Sequence, residues 1–220
     1  MKVLVIAPHH DDEVLGVGGT IAKYAAEGAE VYVAIITRGY PPEYTEEACE
    51  QDIKEAHQAH KHLGVKETIF LSLPAAKLDT IPHRDVNVQL FNLVNKIQPD
   101  LLFIPFIGDI HLDHQRIFLS SLVAARPNNP DAPKAIYAYE TLSETNWYAP
   151  YVTPNFVPNV FIDISEHLET KLQAMQMYAS QIKTFPNERS EETLRALATL
   201  RGSTVNRFAA EGFYLIRQII

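Results

Sequence analysis

The 220-residue chain is 46% hydrophobic and 21% charged, ordinary proportions for a folded soluble protein, and it is long enough to bury a sizeable core as one domain over 1–220. Its net charge of −8 excludes a general nucleic-acid or anionic-membrane surface, each of which needs clustered Lys and Arg, and leaves room only for a local basic pocket. The single cysteine, Cys49, has no partner for an internal disulfide; as a small buried hydrophobe in a reducing compartment, with no secretory signal and no run of ~18 apolar residues, it fits a cytoplasmic protein.

Residues 3–7, VLVIA, form a short, mostly β-branched run that predicts a strand buried on both faces. The run breaks at Pro8, and His9, His10, Asp11, Asp12 and Glu13 follow at once. A nucleotide-binding α/β protein places a bare glycine-rich loop at that corner, so that phosphate can approach backbone N–H groups. Here Gly16, Gly18 and Gly19 lack that spacing and come after the charged corner, which points to close helix–sheet packing instead.

A helix is expected over 13–27, then a buried strand at 31–37 and a helix over 45–63 that stops at Gly64. The latter puts Cys49, Ile53, Ala56, His60 and Leu63 on one face. The histidines of HQAHKH (57–62) fall on different faces, as in an amphipathic helix rather than a metal site. Next come buried strands at 69–73 and 101–106, with helices over 86–97 and 114–125. The last third predicts strands at 135–140, 158–164 and 212–217, helices over 165–181 and 190–209, and a long loop at 141–158. This alternation implies right-handed βαβ crossovers and a Rossmann-like, three-layer α/β/α fold with a mainly parallel sheet.

Ligands of open parallel sheets bind beyond the carboxyl ends of the strands. The first strand ends in PHHDDE and the strand LLFIPF ends in IGDIHLDH (107–114), so both charged clusters belong on one sheet edge. Catalytic zinc takes three protein ligands, commonly His with Asp or Glu, and keeps one position open. His9 and Asp12, three apart where a helix begins, can turn toward one point, and His114 is the natural third ligand. Asp11, between two ligands, is placed to act as a general base. His111 beside Asp113 suits an imidazolium that stabilises an oxyanion or protonates a leaving amine. Glu13 reads as a first-turn residue favoured by the helix dipole, and His10 as structural or lining. These parts make a site for metal-assisted amide hydrolysis.

The pair APHHDDEVLGVGGTIA and HLDH resembles the LmbE/PIG-L deacetylases, whose motifs are usually written PHPDDE and HxDH. ITRG (36–39), HLGV (62–65), YETLSETNW, PNVFIDIS and ERS extend the resemblance over nearly the whole chain. It implies hydrolysis of the N-acetyl group of glucosamine-type sugars, as in the glycosylphosphatidylinositol, mycothiol and bacillithiol pathways. It also implies zinc on His9, Asp12 and His114, Asp11 as base, and His111 with Asp113 at the oxyanion. Two departures stand out. His10 replaces the usual proline, and EQDIKEAHQAH has Asp52 and Ile53 near the place of an arginine that often helps hold the sugar. Arg38, Arg189 and Arg116 are candidate replacements, and Trp147, Tyr148 and Tyr151 are candidates to stack on a sugar ring.

The expected protein is therefore a zinc-dependent deacetylase acting on a small N-acetyl amino sugar or conjugate, with no nucleic-acid partner and no membrane span, and compatible with a homo-oligomer. Iron(II) or another divalent ion is the alternative metal. Two other readings stay open. Two His and one carboxylate also suit an iron(II) oxygenase, and the same scaffold could serve as a non-catalytic sugar or metal binder.

Overall fold

The computed structural model describes residues 1–128, 130–149 and 151–220; position 150 of the expected 141–158 loop lies outside the described residues. The elements run β1 (Lys2–Ala7), α1 (Asp12–Ala26), β2 (Glu30–Arg38), α2 (Glu46–Leu63), β3 (Glu67–Pro74), a 3₁₀ turn (Leu78–Thr80), α3 (His83–Ile97), β4 (Leu101–Pro105), α4 (Leu112–Ala124), β5 (Ala135–Tyr139), β6 (Val160–Asp163), α5 (Leu168–Met177), α6 (Glu191–Thr204) and β7 (Ala210–Gln218). They form one seven-stranded sheet in the order β3-β2-β1-β4-β5-β7-β6. Every pairing from β3 to β5 is parallel, and β7 runs antiparallel to both neighbours.

Period-two alternation along the central strands builds the layers. Val3, Val5 and Ala7 of β1, with Val31, Val33 and Ile35 of β2, pack into the core under α1, α2 and α5. Leu4 and Ile6, with Tyr32, Ala34 and Ile36, pack on the opposite face against Leu90, Leu93 and Val94 of α3 and Ile117 and Phe118 of α4. The expected three-layer α/β/α architecture with a mainly parallel sheet is the observed one. The glycines of α1 make the close approach expected of them. A Cβ on Gly16 would lie 2.3 Å from the Tyr139 ring, and one on Gly19 would lie 2.6 Å from Ile164.

Several expectations are corrected. β3 is the edge strand and is only half-buried, because no strand pairs beyond it, so the strand at 69–73 is not covered on both faces as expected. α4 starts at Leu112 with the His111 side chain capping it, which moves His114 inside the first turn. α5 covers only Leu168–Met177, and α6 ends at Thr204, because the chain turns at 202–207 to enter β7 at Ala210.

The strand order reverses between β1 and β4, which pair directly. The segments leaving their carboxyl ends diverge to opposite sides and open a crevice at that point. His9–Glu13 leaves β1 there, and residues 107–114 leave β4. Among the described residues no helix is long and apolar enough to cross a membrane.

Candidate active site

The corner after β1 is tightly held. Pro8 C=O accepts from both the Thr37 N–H (3.0 Å) and the Thr37 hydroxyl (2.8 Å). Asp11 adopts φ 91°, the left-handed region that a non-glycine residue enters only at a cost of roughly 1–3 kcal/mol. Its C=O accepts from Val14 and Leu15 and so opens α1, but its carboxylate caps nothing. That carboxylate receives Arg189 Nη1 at 2.9 Å instead.

His9, Asp12 and His114 converge. Asp12 Oδ2 is 3.4 Å from His9 Nδ1 and 3.2 Å from His114 Nε2, and the two ring nitrogens are 3.3 Å apart. Edges of about 3.3 Å are those of a tetrahedron whose centre lies about 2.0 Å from each donor, the bond length of zinc to nitrogen or oxygen. The far side of each ring fixes which nitrogen faces inward. His9 Nε2 is 3.0 Å from Asp113 Oδ2, and His114 Nδ1 is 2.8 Å from Asp109 Oδ2, so the neutral tautomer that gives its proton to the buried carboxylate turns a lone pair toward Asp12 in each ring. Two lone pairs and a carboxylate oxygen facing one point repel one another unless a cation sits there. The donor set thus fits a divalent metal.

Electrostatics agree. Burial would depress the His9 imidazole, but its bonds to Asp113 and Asp12 lift it to about 9. Burial acts likewise on His114, and Asp12 and Asp109 overturn it. Burial raises Asp12, yet His114 and His9 together hold it well below the usual carboxylate range. Without a metal, positive charge collects on the rings to offset this carboxylate cluster.

His111 and Asp113 form only a loose pair. Their side chains are 4.0 Å apart, and the Asp113 carboxylate is engaged by His9, by Ala76 N–H (2.7 Å) and by Leu78 N–H (3.2 Å). His111 Nδ1 accepts the Asp113 backbone N–H at 3.1 Å, which leaves the ring proton on Nε2. Burial, reinforced by His9, keeps this ring below its ordinary pKa, which favours the neutral N–H donor over an imidazolium. Asp113 orients His9.

A cleft of about 210 Å³ opens beside the donors, lined by His9, His10, Asp11 and His111, by Thr37, Arg38, Gly39, Tyr44 and Asp52 on one side, and by Glu144, Gln181 and Arg189 on the other. Burial pushes the Asp11 carboxyl well above the usual range, against the pull of Arg189. Burial also pushes His10 down to about 4, and its Nε2 has no hydrogen-bond partner among the described residues. Arg189 also reaches Gln181 (3.1 Å) and Ser143 (3.0 Å), whereas Arg38 pairs with Glu46 at the rim. Trp147 and Tyr151 do not line the cleft, and Trp147 is 58% exposed. Arg116 lies on α4, also outside the lining.

Two features escaped the sequence reading. Asp109, fully buried, holds His114 and accepts from Thr145 Oγ1 at 2.6 Å; the usable signal was that a ligating imidazole needs a carboxylate or carbonyl behind it. Glu13 is also buried. It receives Tyr178 Oη at 2.6 Å and lies 3.0 Å from His60 Nε2, while His60 Nδ1 meets Thr68 Oγ1 at 2.8 Å. This polar chain ties the first turn of α1 to α2, β3 and the end of α5.

A family profile described as PIG-L, GlcNAc-PI de-N-acetylase, matches residues 4–125, more than half of the chain and the span holding both charged clusters. The chain is 27% identical to the diacetylchitobiose deacetylase of Thermococcus kodakarensis, covering 98% of this chain and 83% of that protein. It is 28% identical to the 1D-myo-inositol 2-acetamido-2-deoxy-alpha-D-glucopyranoside deacetylase of Mycobacteroides abscessus, covering 94% and 90%. Its fold matches the solved structure of N,N'-diacetylchitobiose deacetylase from Pyrococcus horikoshii with a TM-score of 0.78 at 29% identity, over 98% of this chain and 83% of that one.

Proposed function

Because the chain belongs to the PIG-L, GlcNAc-PI de-N-acetylase, family, we propose that it is a metal-dependent hydrolase that removes the acetyl group from an N-acetylated amino sugar or its conjugate. The observation that carries this reading is the triangle of His9 Nδ1, Asp12 Oδ2 and His114 Nε2, with the outer nitrogen of each ring held by a buried carboxylate. The names of the relatives support the substrate class, each being a deacetylase of an N-acetyl sugar or sugar conjugate.

In this reading His9, Asp12 and His114 hold a divalent cation, and the donor set suits zinc, with iron(II) as the alternative. Such an ion polarises an acyl oxygen and lowers the pKa of water to about 7. Asp11 takes the proton of the attacking water; burial has raised its basicity, and Arg189 keeps the carboxylate aimed into the cleft. His111 Nε2–H donates to the oxygen on which negative charge develops. Asp113 and Asp109 keep the rings of His9 and His114 in the tautomers that ligation requires. The proton on Asp11 then passes to the departing amine, so that acetate and a free amino sugar leave.

The test is acetate release from N-acetyl hexosamines and their glycosides by protein as purified, after chelation, and after zinc or iron(II) is restored. Release that chelation abolishes and metal restores is the expected result. Chelator-insensitive release would reject the metal, and no release with full metal content would reject the deacetylase.

A further inference from the structure

The cleft beside the donor triangle carries both signs of charge, but its two arginines are already matched. Arg38 pairs with Glu46 and lies over the Tyr40 ring. Arg189 is held by Asp11, Gln181 and Ser143. Two carboxylates on the same lining are short of donors. Asp52, on α2, has Ser180 Oγ at 3.3 Å, yet that hydroxyl has one proton and lies only 2.7 Å from Glu55 Oε2, so the shorter bond takes it. Glu144 is 13% exposed; its Oε1 lies 3.9 Å from Arg189 Nη2, and its Oε2 is buried with no hydrogen-bond partner among the described residues.

A buried carboxylate oxygen left without a donor is unfavourable, and a ligand that brings O–H or N–H groups relieves it. A ligand that brings a phosphate or carboxylate to the same wall adds like-charge repulsion, and both arginines of the described lining are already paired. Relying on the deacetylase reading only for the bond that is cut, we propose that Asp52 and Glu144 set the specificity of this cleft. Its substrates are N-acetyl amino-sugar glycosides with an uncharged or cationic aglycone, and glycosides with an anionic aglycone are rejected.

The test uses metal-loaded protein and three N-acetylglucosaminides whose linkers of equal length end in a hydroxyl, an ammonium or a carboxylate. Acetate release is measured on these, and equilibrium binding by calorimetry on the matching glucosaminides, which cannot be hydrolysed. The carboxylate glycoside should bind about tenfold more weakly than the hydroxyl one. Asp52→Asn should narrow that gap to about threefold, and Asp52→Arg should reverse it. Glu144→Gln should weaken the hydroxyl glycoside about fivefold, since one acceptor becomes a donor.

Equal or tighter binding of the carboxylate glycoside by the unaltered protein overturns the proposal, as does a gap that Asp52→Asn leaves unchanged or an absence of binding by all three. If the binding order holds but no acetate appears, the specificity inference stands and the deacetylase reading falls.

Discussion

Arg189 and Asp11 stand 178 residues apart in the chain, and a nitrogen of one lies 2.9 Å from an oxygen of the other. The contact joins the segment after α5 to the strained corner after β1. It engages Asp11 Oδ2 and leaves the second carboxylate oxygen available for a proton. Burial raises this carboxyl and Arg189 lowers it, so removing the guanidinium must raise it further. A base works only when deprotonated, and its activity is lost as pH falls through its pKa. Arg189→Gln should therefore move the acidic limb of the kcat/KM profile upward by about one pH unit. A limb that stays in place would separate Arg189 from the base.

Asp11→Asn keeps the size of the side chain but cannot take a proton. Asp11 is not among the three converging donors, so the variant should retain its metal stoichiometry while kcat falls by roughly 10²- to 10⁴-fold. Metal analysis beside acetate release checks both halves. Activity within a few-fold of the unaltered enzyme would give the base role to another group.

Asp109 is not one of the three converging donors, yet it should govern metal affinity. Its two oxygens serve His114 Nδ1 and Thr145 Oγ1, and an asparagine offers only one acceptor for both. Asp109→Asn should weaken metal binding by about 10- to 100-fold, measured by competition with a chromophoric chelator, with kcat largely recovered at saturating metal. Unchanged affinity would mean that the His114 ring is held by packing alone.

How far the sequence could be read depended on whether a residue's role followed from its local pattern. His9, Asp12 and His114 were legible because strand ends share an edge in a parallel sheet and because the two clusters are dense in ligand types. The layers were legible from the apolar runs of β1, β2 and β4. The direction of the His111 ring is not legible, because two residues of separation says nothing about direction once one of them caps a helix. β3 has the composition of a buried strand, and only the sheet order makes it an edge. Glu13, Asp109 and Glu144 look like solvated acids in sequence; elements distant along the chain bury the first two and half-bury the third. Trp147 drew notice by its type alone, and the fold leaves it outside the cleft.

The pair Lys171 and Glu211 belongs to the same illegible group, since a lysine on an amphipathic helix and a glutamate in a strand normally face water. Both side chains are 4% exposed, with Nζ 2.6 Å from Oε1. Lys171 Nζ also reaches Leu15 C=O at 2.8 Å, and the Glu211 carboxylate accepts from Gly19 N–H (2.9 Å) and Thr20 N–H (2.8 Å). The pair thus grips α1, the helix whose first turn carries Asp12, from α5 and β7. Lys171→Met preserves the packing of the stem but leaves a buried carboxylate without its counter-charge. It should cost about 3–5 kcal/mol, a fall in Tm of roughly 6–20 °C. Glu211→Gln in the same background removes the stranded charge and should recover part of that loss. A Lys171→Met protein as stable as the original would mean that Gly19 and Thr20 alone satisfy the carboxylate.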